Sequence, residues 1–352
     1  MALTRRGKIV VSVTGALALV TVGGIALALT GHAPSALQRA VDNVTGQTHT
    51  PAPTCPLTGK PAPGGKVPNR PVLAVKVENT PDAYPLAGLQ NADVVYEELV
   101  EGGITRFMAL YQCKDAARVG PVRSARTTDP KVLIQYDAHP LIAYSGGQLA
   151  VVHAVERAGL VSYDETTGGD AFWRDQERVE PHNLFVSTAR LRAKAAGRTA
   201  HAGPPRRLLP FDAHPPAGKH VSTVSMAFSS SVTATWRWDG SSGRWQRMLD
   251  GAPMDLDSGQ PITATNVVIQ QVEVTEGNLV DVLGYHSPEV TLTGEGKAWI
   301  LRDGVLIAGR WTRPVLGAVT KFVTKGGDVI PFAPGNTWIE LVAKGTPPTV
   351  TK

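Results

Sequence analysis

Cysteine is nearly absent from this sequence. Cys55 and Cys113 are the only two in 352 residues, and neither lies beside a catalytic motif, which argues against a thiol nucleophile. HExxH, GxSxG, SxxK, a Walker A loop and a GxGxxG behind a strand are all missing. The usual metalloprotease, serine-hydrolase and nucleotide-binding signatures are therefore absent. His182 has no His, Cys or acid at metal-ligand spacing, so neither a metal nor a cofactor is expected. No aromatic–basic pattern of the kind that reads nucleic acid occurs either. The formal charge of +5 is a weak guide to partners. Arg5, Arg6 and Lys8 supply three of those charges, and the remainder of the chain carries only +2.

Those three basic residues precede residues 9–29, IVVSVTGALALVTVGGIALAL, a run of 21 without a charge. A bilayer-crossing helix needs about 20 predominantly apolar residues. Basic residues in front hold the N-terminus inside and send the rest across. Two readings stay open. One is an uncleaved single-pass anchor with the following domains extracytoplasmic. The other is a signal cut after Ala26-Leu27-Ala28, which would release a secreted protein. No cysteine closely follows the segment, so a lipid-modified N-terminus is not expected. Two cysteines in an exported chain suit one disulfide, Cys55–Cys113, against the alternative of two buried free thiols.

Composition divides the chain into four parts. Residues 1–29 form the anchor or signal. Residues 30–70, rich in Pro, Gly, Thr and Ala and without a sustained period, read as a linker. Residues 71–205 alternate strand-like runs (72–79, 92–100, 104–113, 139–147) with helical ones (129–136, 148–158, 188–196), and 161–188 read as polar and irregular. This is a mixed α/β domain. Residues 206–345 carry strand-like runs at 221–228, 233–239, 244–249, 266–274, 290–304 and 336–342, separated by turns such as DGSSG and DSGQP. This is a β-rich domain. The fold class expected is α+β.

Charged residues within apolar runs mark the candidate site. Taking Gly102-Gly103 as a two-residue hairpin loop sets Leu99 opposite Arg106. Glu97 and Glu101 then share a face with Arg106, which bridges them diagonally, while Glu98 faces the other way. Paired carboxylates here serve either an ion-pair network or acid–base chemistry, with Glu98 and Glu101 the catalytic candidates. Gly120-Pro-Val-Arg-Ser-Ala-Arg126 places Arg123, Ser124 and Arg126 beside a turn. Guanidinium forks in such a place suit a carboxylate or phosphate ligand, or else pair with the glutamates. Trp173 and Arg174 in FWRD, and His182 and Asn183 in PHNLF, sit in loop-like sequence where ligand contacts concentrate. Trp173 equally suits a core position.

Taken together, these segments resemble the YerB family, the DUF3048 proteins of Gram-positive bacteria. The resemblance is carried by PLTG (56–59), by 70–112 with its VEGGITR, by GPVRSAR (120–126), YSGG (144–147), FWRD and PHNLF. It continues through 250–270, GKAWILRDG (296–304) and PGNTWIEL (334–341), covering about residues 56–343. It implies a lipoprotein-like envelope protein with an N-terminal domain and a companion C-terminal domain, and it supplies no reaction. The expected function is a membrane-tethered cell-envelope module. Its polar cleft would serve an anionic or sugar-like ligand such as a wall polymer. The alternatives are a glycan-acting enzyme using Glu98 and Glu101, or a scaffold binding an envelope protein.

Overall fold

The computed structural model describes residues 52–352 apart from 137, 138, 215, 216 and 346. The apolar run at 9–29 and most of the 30–70 linker lie outside the described residues. Within the described residues no helix is long and apolar enough to cross a membrane.

Among the described residues, twenty strands and four α-helices follow in order. The first segment contains β1 (Leu73–Asn79), β2 (Val94–Leu99), β3 (Thr105–Tyr111), α1 (Thr128–Leu133), β4 (Leu141–Ala143), α2 (Leu149–Arg157), β5 (Val161–Tyr163), α3 (Glu165–Gly168), β6 (Phe172–Arg174), β7 (Leu184–Val186) and α4 (Thr188–Ala195). Then come β8 (Lys219–His220), β9 (Thr223–Ala227), β10 (Thr233–Asp239), β11 (Arg244–Leu249), β12 (Ala252–Pro253), β13 (Thr263–Ala264) and β14 (Asn266–Val280). The chain ends with β15 (His286–Thr291), β16 (Gly294–Arg302), β17 (Val305–Arg313), β18 (Lys321–Thr324), β19 (Thr337–Ala343) and β20 (Thr349–Thr351).

The main sheet runs β18-β17-β16-β14-β19-β2-β3-β1-β4-β5, with β15 pairing β14 and β8 pairing β17. The pairs β14–β19, β19–β2, β1–β4 and β4–β5 are parallel, and β3 is antiparallel to both β1 and β2. Thus β5, β4, β1, β2, β19 and β14 all point one way. Their centre is apolar on both faces, as buried parallel strands require. β1 has six buried residues out of seven. One face packs on the six-stranded sheet β12-β11-β10-β9-β20, with β13 on β11, and also on α4 and the β6–β7 hairpin. Here Trp338 meets Phe107 and Trp236 edge-on, each at 5.1 Å between ring centroids. Such pairs are worth about 0.5–1.5 kcal/mol beyond the area they bury. Helices α1 and α2 cover the other face through Val132, Leu133, Val151 and Val155.

The architecture is mixed α/β and largely β. The segments before and after residue 205 share one sheet, because β14 and β16–β19 continue the sheet begun by β1–β5. Thr54–Lys352 form one compact unit. The body also starts earlier than residue 71. Thr54 bridges Pro61, Leu57 is buried, and Cys55 is bonded to Cys113 just beyond the end of β3.

Candidate functional site

The charges cluster where β1 and β2 end and β3 begins, outside the carboxyl ends of the parallel strands. Open α/β sheets bind ligands at that edge. Glu78 and Glu98 lie directly opposite Arg106, one on each neighbouring strand.

This register corrects the expected hairpin. The loop has three residues, Glu101–Gly103, closed by a hydrogen bond from Val100 N to Ile104 O. Gly102 and Gly103 both have positive φ, 68° and 73°, which glycine takes without strain. The extra residue sets Leu99 opposite Thr105 and moves Arg106 to the face of Glu98. The expected Arg106 bridge between Glu97 and Glu101 does not form.

Glu97 instead points to the opposite face, towards the second sheet. Arg247 Nη2 lies 2.8 Å from its Oε2, Thr105 Oγ1 donates to its Oε1 at 2.7 Å, and Asn79 donates to the same oxygen at 3.2 Å. Its strand neighbour on β19 is Glu340, fully buried beside it. Glu340 accepts from Trp236 Nε1 at 2.7 Å and from Arg247 at 3.1 Å. Burial, reinforced by the Glu97 charge, pushes the Glu340 carboxyl well above its ordinary pKa. One guanidinium thus serves two acids, and the second of them, Glu340, holds its proton more firmly than an ordinary carboxyl.

On the site's own face Glu98 is also closed. Lys76 contacts it and reaches Asp129 at 2.8 Å, and all three are buried. Burial raises Glu98 to about 7, against the pull of Lys76. Asp129 additionally accepts from Arg126 N at 2.6 Å. Glu101 has both oxygens engaged, one by Ser287 Oγ and the other by Arg126, whose Nε donates at 2.7 Å. Burial alone would raise Glu101, but Arg126 and Ser287 outweigh it and hold it below the usual carboxylate range. The two acids singled out for catalysis are therefore both spent on protein partners.

The arginines behave differently. Segment 120–126 runs beside β1, with Arg123 N donating to Lys76 O at 2.9 Å and Glu78 N to Pro121 O at 3.0 Å. It also pairs with the PHNLF segment, through Val122 N to Leu184 O at 2.7 Å. A Cβ at Gly120, where φ is 151°, would lie 2.7 Å from Leu184 O, so only glycine permits this approach. Ser145 N donates to Arg123 O at 2.9 Å and Ala125 N to Gly146 O at 3.2 Å, which brings the YSGG turn alongside.

Arg106, Arg123, Ser124 and Arg126 then line one cavity of about 660 Å³, together with Glu101 and the tip of the β14–β15 hairpin. Arg126 is paired. Arg123 has one distant partner, with Nε 3.4 Å from Glu78. Arg106 is 7% exposed, and no carboxylate lies within ion-pair distance of it among the described residues. Its hydrogen bond is Nη1 to the Ser124 carbonyl at 3.3 Å. Burial, and then the charges of Arg126 and Arg123, lower Arg106 to about 9, against a weaker pull from Glu101 and Glu78.

The remaining candidates do not line this cavity. His182 Nδ1 lies 3.0 Å from Glu78, and Thr80 donates to the same carboxylate at 3.0 Å, so His182 is linked to Arg123 only through Glu78. Trp173 is half-buried and stacks on Phe185 at 6.4 Å. Arg174 pairs with Glu165 and Glu180 and donates to Asn183 at 2.8 Å. Sequence reasoning missed Lys76, Glu78, Asp129, Arg247, Glu340 and the hairpin tip. The signal was present for three of them, because charges inside VLAVKVEN (Lys76, Glu78) or TWIELV (Glu340) need partners in a buried strand. Among the described residues no cluster of His, Cys, Asp and Glu could hold a metal ion.

These features define a mixed α/β protein whose polar cavity is built from arginine rather than from open acids. Family models described as "Protein of unknown function (DUF3048) N-terminal domain" and its C-terminal counterpart match residues 57–201 and 224–339, and the chain belongs to this family. It is 30% identical over 295 residues to "Putative lipoprotein YerB" of Bacillus subtilis (strain 168), covering 82% of this chain and 85% of that protein. The crystal structure of the YerB protein from Bacillus subtilis superposes with a TM-score of 0.73 at 27% identity, over 85% of this chain and all of that one.

Proposed function

We propose that this protein is a membrane-tethered, extracytoplasmic module of the cell envelope that binds an anionic ligand in the Arg106–Arg123–Arg126 cavity. The basic cluster ahead of residues 9–29 supports the location, as does the lipoprotein name of the Bacillus relative. The observation that carries the binding reading is Arg106. A buried cation without a carboxylate partner, held beside two further guanidinium groups, is costly unless an anion joins it. Arginine forks grip phosphate or carboxylate oxygens in pairs. An anionic wall polymer fits this chemistry better than a neutral sugar, because the Trp173 ring is taken by Phe185.

The test is co-sedimentation of the Thr54–Lys352 body with purified cell-wall sacculi, alongside its Arg106→Gln variant. The variant should bind about tenfold or more weakly while melting no lower than the parent, since it loses no ion pair and relieves like-charge repulsion. A variant that is several kcal/mol less stable yet binds normally would make Arg106 structural and end this reading.

A further inference from the structure

The hairpin that overhangs the arginine cavity ends in an apolar tip. Val280, Val282, Leu283 and Tyr285 are 43%, 101%, 76% and 52% exposed, and Leu149 at the start of α2 is 68% exposed. These are five of the ten large apolar side chains exposed among the described residues, gathered at one place, whereas exposed apolar groups are ordinarily scattered singly. The tip is held in shape. Asp281 Oδ1 accepts from Leu283 N and Tyr285 N, both at 2.9 Å, and Asp281 N donates to Tyr285 O at 2.9 Å. Gln148 Nε2 donates to Val280 O at 3.0 Å and fixes the hairpin against α2. Val282 and Leu283 therefore stand out on a rigid turn, and the acid within it is spent on the backbone.

Both Val282 and Leu283 line the same cavity as Arg106, Arg123 and Arg126. Projecting apolar groups beside a recessed cluster of cations complement a surface with hydrocarbon beneath and negative charge above. That is the chemistry of an anionic lipid bilayer. Exposed apolar side chains enter the boundary between headgroups and acyl chains, and nearby cations add attraction to anionic lipid. A soluble polyanion would satisfy the arginines but would leave the tip without a purpose. We infer that the β14–β15 tip inserts into an anionic membrane surface while the arginine cavity takes a headgroup phosphate. This rests on the anion reading of the same cavity and names the source of the anion.

The body Thr54–Lys352 suits the test, because it is a compact unit and matches the whole of a crystallised relative. Flotation is measured with phosphatidylcholine vesicles, with and without phosphatidylglycerol, and in parallel with binding to soluble poly(glycerol phosphate). The parent should float with the phosphatidylglycerol vesicles alone. Val282→Ser with Leu283→Ser removes the apolar groups at exposed positions without placing a charge beside the arginines; it should lower vesicle binding by about a hundredfold and polymer binding far less. Arg106→Gln should weaken both. Equal flotation with the two vesicle types, or an unaffected double variant, would overturn the membrane inference. If Arg106→Gln still lost the polymer in that case, the anion reading would stand. Arg106→Gln with unchanged binding to vesicles and polymer alike would overturn both.

Discussion

Replacing Arg247 by methionine tests the buried chemistry beneath the sheet. Arg247 is 4% exposed and contacts Glu97 at 2.8 Å and Glu340 at 3.1 Å, both acids fully buried. Methionine keeps much of the apolar stem but leaves two adjacent carboxyls without a cation. Breaking a buried pair by removing one partner costs about 3–5 kcal/mol. The loss should depend on pH in a definite direction. Glu340 has a raised pKa in the folded state, so the native chain holds its proton more firmly than the unfolded chain does. Such a group contributes its stability fully below the unfolded carboxyl value and loses it as pH rises. Each extra proton held by the native state steepens that fall by about 1.4 kcal/mol per pH unit. Without Arg247, whose charge now holds Glu340 down, Glu340 moves further up, so the Arg247→Met penalty should be larger at about pH 8 than at about pH 5.5. Adding Glu340→Gln should recover much of the loss, because an amide replaces the second charge and can donate to Glu97. Urea unfolding of the parent, the two single variants and the double variant at both pH values measures the coupling directly. A cost below about 1 kcal/mol for Arg247→Met, or a penalty that does not change with pH, would refute the account.

Two further outcomes follow from the same groups and from the disulfide. Glu98 is raised from about 4.5 to about 7, so its contribution also declines as pH rises through that window. Glu98→Gln should flatten the decline, and a stability profile between those pH values identical to the parent's would contradict it. Reducing Cys55–Cys113, which are separated by 58 residues, should lower stability by about 4 kcal/mol on chain-entropy grounds. Denaturation with and without reductant measures this, and an unchanged midpoint would show that the crosslink constrains nothing.

Local pattern carried the strand positions well. The runs 233–239 and 244–249 coincide with β10 and β11, because alternating Trp, Thr and Arg set a clear two-residue period. The 161–188 stretch read as irregular because β5, β6 and β7 have only three residues each, too few to show any period. The hairpin register failed on a single residue. Gly102-Gly103 resembles a two-residue loop, and nothing local says that Glu101 joins it. That one residue decided which face of the sheet received Arg106. The cavity itself was half legible. GPVRSAR, YSGG and PHNLF stood out as segments, but their hydrogen bonds to one another are set by tertiary pairing. The hairpin tip left no mark as a site, since Val280, Val282 and Leu283 look like any strand end until exposure is known.

The position of β19 has a consequence for how the chain comes to be folded. Thr337 pairs with Val94 across about 240 residues of sequence, and β19 sits between β2 and β14 in the middle of the sheet. Until those last strand residues are available, β2 and β14 each present an unsatisfied edge, the kind that recruits other chains. Contacts of such long sequence separation also slow folding. The body therefore cannot assemble piecemeal as the chain emerges. A copy truncated before β19 would fail as a whole rather than keep a working half, because the two parts of the main sheet are joined only through that strand.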